Sequence, residues 1–171
     1  VIYATLGDGP LVVRICQALI GAISCVMLAL AGRRFFSRSA GIVGGLLLGL
    51  YPPAIFFDGL IQKSVLDVFL LSLILWLVSM IATKPRADLC GCMGLAVGFL
   101  VMARENAMVF VAVILIWLLV NNRNLGRRSL IYAGIFLFGV STVLFPVAAR
   151  NQAVGDEFHL TTSQFGPNFF I

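Results

Sequence analysis

The chain has 171 residues, of which 61% are hydrophobic and 11% charged, and its mean hydropathy is +1.07. A water-soluble domain carries about a quarter of its residues as charges, so this sequence lacks the polar surface to cover itself in water. The net charge of +5 does not signal nucleic-acid binding, because the basic residues sit in short clusters between apolar runs, with no basic stripe interleaved with aromatics.

The pattern predicts an all-α, polytopic transmembrane helix bundle of about six spans, one domain over residues 1–171. The spans are expected at 11–31, 40–57, 64–82, 88–103, 107–121 and 130–149, with 150–171 as an extracytoplasmic segment. The first ends at Gly32-Arg33-Arg34 and the second is broken near its end by Pro52-Pro53. The third is followed by Thr83-Lys84-Pro85-Arg86, and the sixth stops at Arg150-Asn151. A span needs about 20 residues. The fourth and fifth runs reach that only by drawing Arg104-Glu105-Asn106 toward the membrane, and a re-entrant hairpin is the competing form. Cys16, Cys25, Cys90 and Cys92 lie in or beside apolar segments without a nearby histidine, so they read as buried small hydrophobes and no metal site is expected. The chain begins at Val1 without a basic leader and ends in a polar, aromatic segment, and reads as the interior of a longer protein.

Orientation follows from alternate connections. Arg33, Arg34, Arg38, Lys84, Arg86, Arg123, Arg127 and Arg128 fall on one side, while only Arg14, Lys63, Arg104 and Arg150 fall on the other. Positive loops stay cytoplasmic, so the second side is expected to face outward. Gly41, Gly45 and Gly49, and likewise Gly94 and Gly98, recur every fourth residue. Small residues at that spacing let helices approach closely in lipid.

The outer charges do not resemble topology signals. Asp58 precedes Lys63, Lys63 lies four residues before Asp67, and Glu105 follows Arg104 directly. Asp67 sits about one turn inside an apolar run, where an ionised carboxylate is costly unless paired or hydrated. An i,i+4 pair with Lys63 that closes the helix end is the plainer account. Cations gathered at the outer interface suit a lipid phosphate, with arginine as a bidentate fork and lysine as a point charge. Neighbouring acids could orient or deprotonate a hydroxyl. His159, alone in the polar tail, reads as a surface residue. The sequence has no phosphate-binding glycine loop, Gly-x-Ser-x-Gly elbow or His-Glu-x-x-His motif, so it offers nothing for nucleotide-driven transport or serine or zinc hydrolysis.

Several stretches carry a resemblance. They are Gly7-Asp8-Gly9-Pro10 leading to Arg14, Gly32-Arg33-Arg34-Phe35-Phe36, Tyr51-Pro52-Pro53 through Asp58-Gly59, and Ala103-Arg104-Glu105-Asn106-Ala107. The segment from Ala149-Arg150-Asn151 through Thr161-Thr162-Ser163 to Gly166-Pro167-Asn168-Phe169 is the most distinctive. In this order they resemble the GT-C-fold glycosyltransferases that use polyprenyl-phosphate sugars. The nearest groups are bacterial family 39 enzymes, akin to protein O-mannosyltransferases and the aminoarabinose transferase.

The resemblance implies transfer of a sugar from a polyprenyl-phosphate carrier, with inversion, to a protein, lipid or glycan acceptor at the outer face of a bacterial inner membrane. It implies no cofactor or metal. It casts Lys63, Asp67, Arg104, Asn106, Arg150 and Asn151 as the lipid-phosphate and substrate side, with Asp58 or Glu105 positioning groups. The family's main carboxylate would precede Val1, since Asp8 stands too close to the next span, and the fragment would be inactive alone. A transporter or lipid flippase would also place paired charges in a bundle, though such proteins usually show internal repeats and interrupted midplane helices. A non-catalytic scaffold, with charges that only pair between helices, is the third reading.

Overall fold

A computed structural model of the chain describes residues 10–60, 63–122 and 126–155. Among these residues every regular element is helical. The elements are α1 (Pro10–Phe35), α2 (Arg38–Gly49), α3 (Pro52–Gly59), α4 (Ser64–Thr83), α5 (Ala87–Ala103), a 3-10 turn (Glu105–Ala107), α6 (Met108–Asn121) and α7 (Arg127–Gly155). An apolar chain in lipid must satisfy each backbone amide within its own segment, and the α-helix does so. Leu11–Phe35, Ser64–Thr83 and Arg127–Gln152 are long and apolar enough to cross a membrane; Arg38–Gly49, Ala87–Ala103 and Glu105–Asn121 are apolar but shorter. Along α1, Leu11, Ile15, Leu19, Ile23, Val26 and Leu30 are exposed, an apolar stripe that bilayer hydrocarbon would cover favourably.

The second apolar run is divided. Leu50 leaves helical geometry, with φ −99° and ψ 3°, and α3 starts afresh at Pro52. Proline has no amide to continue a helix and disfavours helical geometry in the residue before it, while it suits the first position of a new helix. The turn is closed by Leu50 N donating to Leu46 O at 2.9 Å and by Ile55 N donating to Tyr51 O at 3.2 Å.

The chain divides into two compact units, Val1–Ser79 and Met80–Ile171, with the division inside α4. In the first unit α1 and α2 run antiparallel through their glycines. A Cβ built at Gly41 would collide with Ala29 O and lie 2.7 Å from Arg33 N; one at Gly45 would lie 2.9 Å from Cys25 O. Ser37 caps α2, its Oγ accepting from Ala40 N at 3.2 Å. Because an N-cap hydroxyl contributes about 1 kcal/mol, Ser37→Ala is expected to lower the urea midpoint of the detergent-solubilised protein, and Ser37→Asp to retain it. Equal midpoints for serine and alanine would remove the cap from the account.

In the second unit α5 packs on α7, with Cys90, Met93, Val97, Leu100, Phe136 and Val140 buried. Gly91 faces Ile135, Gly94 faces Phe136 and Gly139, and Gly98 faces Val140 and Val143. Positions rise together, so α5 and α7 are parallel, with α6 between them in sequence. Ser129 Oγ, at the start of α7, donates to Leu119 O near the end of α6 at 3.4 Å. All four cysteines are free thiols; Cys90 is buried, Cys16 and Cys25 are half-buried and Cys92, pointing another way from the same helix, is exposed, so the expected burial holds for Cys90 alone.

Candidate functional site

In the first unit the charged positions gather where α4 begins. Asp67 N and Leu66 N both donate to Lys63 O, at 3.3 and 3.0 Å, so Lys63 starts the helix and Asp67 lies one turn in. Lys63 is exposed, whereas Asp67 is only 9% exposed. A carboxylate in the first turn faces the positive end of the helix dipole, which favours its charge. Ser64 Oγ in the same turn is buried with no hydrogen-bond partner among the described residues. A buried carboxylate and a buried hydroxyl oxygen in an apolar helix opening are costly unless they are partnered, and such positions are functional candidates. Asp58 falls on the backbone of α3, and its side chain lies outside the described ones.

In the second unit Arg104 is the break itself. It stands between α5 and the 3-10 turn in extended geometry, φ −139° and ψ 110°. Its amide donates to Leu100 O at 2.8 Å, and its carbonyl accepts from Ala107 N at 2.9 Å. The backbone is thus pinned on both sides while the side chain is exposed. Asn106 is exposed beside it and Glu105 half-buried. The two helices therefore stop short of absorbing these polar residues, since α5 ends at Ala103 after 17 residues.

The register between α5 and α7 decides where Arg150 falls. Each facing residue on α7 lies 42 to 48 positions beyond its partner on α5, so Arg104 is level with residues 146–152. Arg150 and Asn151 fall within that stretch, at the same end of the pair as Arg104, Glu105 and Asn106. Lys84, Arg86, Arg127 and Arg128 sit at the opposite end, where those helices begin or end. Arg86 there holds Asp88 through Nε–Oδ1 at 3.1 Å and Nη2–Oδ2 at 2.7 Å, an exposed pair worth at most about 1 kcal/mol. Arg123, His159 and the tail from Asp156 onward lie outside the described residues.

One residue of the site region was missed by sequence reasoning. The first unit contains an open cleft of about 730 Å³ between α1, α2, α3 and the start of α4, and Arg14 lines it. Val65 and Val68, from the turn that carries Asp67, line the same cleft. In the sequence Arg14 stands out as a basic residue on the sparse side and as the end of the stretch that starts at Gly7, but not as a site residue. It lies one turn inside its apolar run, the criterion that singled out Asp67.

Three helices long and apolar enough to cross a membrane, with an apolar stripe exposed along α1, define an integral membrane protein. Residues 1–148 match the sequence profile of the dolichyl-phosphate-mannose-protein mannosyltransferase family, and the chain belongs to that family. It is therefore of the membrane glycosyltransferase class, whose donors are polyprenyl-phosphate-linked sugars. No curated protein and no solved structure was found to match the chain. The transporter reading draws no support from the family match.

Proposed function

We propose that the protein carries out sugar transfer of the bacterial family 39 type, taking a hexose or pentose from a polyprenyl phosphate at the extracytoplasmic face. The acceptor is a protein, lipid or glycan hydroxyl or phosphate. The acceptor oxygen bonds to the anomeric carbon as the bond from that carbon to the donor phosphate breaks, with inversion. A hydroxyl acceptor gives up its proton, and polyprenyl phosphate departs with the electron pair and one more negative charge.

That developing charge is what the cations are for. Arg104 and Arg150 supply planar forks for phosphate oxygens and Lys63 a point charge, and a fixed cation at a developing anion lowers the barrier without reorganisation. Asn106 and Asn151 donate hydrogen bonds alongside. Asp67 holds Lys63 at the head of α4, while Asp58 and Glu105 orient the acceptor. No residue of this sequence is assigned as the attacking base.

The observation that carries the reading is the common level of Arg104–Asn106 and Arg150–Asn151 at one end of the α5–α7 pair. Membranes from cells expressing the gene that encodes this chain, given a radiolabelled polyprenyl-phosphate sugar, are expected to pass label to an acceptor and release polyprenyl phosphate. Label carried across the vesicle membrane still attached to its lipid, with no glycosylated product, would replace transfer with transport.

A further inference from the structure

We infer that the hairpin between α1 and α2 is a docking surface for anionic phospholipid, with Arg33, Arg34 and Arg38 meeting headgroup phosphates and Phe35 and Phe36 entering the acyl boundary. The inference needs only the membrane setting and is independent of the transfer reaction. The stretch Arg33-Arg34-Phe35-Phe36-Ser37-Arg38 is exposed throughout, and Phe36 is 83% exposed. Phe35 stands edge-on to Phe36, with ring centroids 6.5 Å apart. Among the described residues no hydrogen bond or ion pair engages any of the three arginine side chains. The sequence holds no carboxylate between Asp8 and Asp58, so the neighbouring chain has no anion to give. Arg86, by contrast, is held by Asp88 at 2.7 Å.

The tip is tied down. Phe36 N donates to Gly32 O and Gly41 N to Ser37 O, both at 3.0 Å, and Ser37 caps α2. A Cβ built at Gly32 would lie 3.0 Å from Gly41 Cα, so the helices touch and the tip cannot splay. The span Leu11–Phe35 has 25 residues. That is about 37 Å of helix against about 30 Å of hydrocarbon, so its end reaches the headgroups. At that depth guanidinium groups meet phosphate while their stems and the aromatic rings stay in the acyl region. Helix stability does not ask for Arg38, which opens α2, where a cation opposes the positive end of the dipole. Arg33 stands nineteen residues beyond Arg14 on α1, about 28 Å of helix. The hairpin therefore lies nearly the hydrocarbon thickness away from Arg14 and the cleft beside it.

A local reporter tests this. The expressed gene product carrying Phe36→Trp is reconstituted in vesicles of equal parts phosphatidylglycerol and phosphatidylcholine, with one lipid or the other brominated. The readout is quenching of the emission that the substitution adds over wild type. At low salt phosphatidylglycerol is expected to be favoured about fivefold, the effect of about one arginine near an anionic surface. At about 1 M salt, where the screening length is about 3 Å, the preference should fall below about twofold. Arg34→Gln with Arg38→Gln should remove most of it, and Arg34→Lys with Arg38→Lys should keep it, because the attraction is one of charge.

Equal quenching by the two lipids at low salt would overturn the inference. So would a preference unchanged in the glutamine pair, or one lost as fully in Arg14→Gln, which lowers the charge at the other end of α1. Inorganic phosphate that abolishes the preference where chloride of equal ionic strength does not would make the hairpin a site for a soluble anion, and would overturn it too. Should Phe36→Trp fail to insert, native mass spectrometry of the purified wild-type protein decides. Retention of phosphatidylglycerol over phosphatidylcholine from an equal mixture, diminished in the glutamine pair, upholds the surface, and equal retention of the two lipids overturns it.

Discussion

Arg104→Ala is expected to lower sugar transfer by about 10² to 10³-fold, the usual effect of deleting one fixed donor aimed at a developing negative charge. The size of the loss follows from how Arg104 is held. Its backbone is the single extended step between α5 and the 3-10 turn, tied by hydrogen bonds to Leu100 on one side and Ala107 on the other. Ala107 is buried, so the turn is packed down and the arginine is presented from a fixed base. A fixed charge stabilises a leaving phosphate better than a wandering one, because it need not be reoriented as the bond breaks. Arg104→Lys keeps the charge but loses the planar fork, and should retain activity intermediate between wild type and alanine. Since the side chain is exposed at a helix junction, neither change should disturb insertion, which protease protection of the membrane-embedded protein can check. Wild-type transfer rates in Arg104→Ala would remove this residue from the donor site and shift attention to Arg150 and Lys63.

The distribution of hydrophobicity made most of the helices legible in the sequence. Five of the six expected spans, 11–31, 64–82, 88–103, 107–121 and 130–149, coincide with single helices to within six residues at either end. The run at 40–57 did not translate into one helix. Hydropathy averages over Leu50 and Tyr51, whereas the backbone responds to the absent amides of Pro52 and Pro53. The glycine spacing pointed to close helix approaches, but which helix each glycine meets is a tertiary fact. Nothing local to Gly94 names Phe136 and Gly139 as its neighbours. Arg14 shows the same limit. Its charge was visible, but the cleft beside it is made by α2, α3 and α4, whose lining residues reach as far along the chain as Val68. Conversely, the common level of Arg104 and Arg150 follows from a register that only the packed pair of helices defines.

Gly94→Leu is the substitution expected to damage the second unit most. Even a methyl group there would overlap the carbonyl oxygen of Phe136, and its Cβ would stand 3.1 Å from Gly139 Cα. Both obstacles are backbone, so no rotamer change on α7 can relieve them. The helices must separate, and contacts around Phe136, Met93 and Val97, all fully buried, must loosen with them. Overpacking a tight core costs about 1–3 kcal/mol and occasionally more; a backbone collision belongs at the upper end. In a bilayer the loss is hard to recover, since lipid contributes little hydrophobic drive to push helices back together and association depends on close packing. Gly134 is the matched control, because a Cβ added there meets nothing within 4 Å. Gly134→Leu should be neutral or mildly stabilising, as replacing a helical glycine recovers about 0.5–1 kcal/mol of backbone entropy. Thermal aggregation of the two variants in the same detergent separates the effects. If Gly94→Leu melts with Gly134→Leu, α5 and α7 do not meet at Gly94, and the register that places Arg150 beside Arg104 goes with that contact.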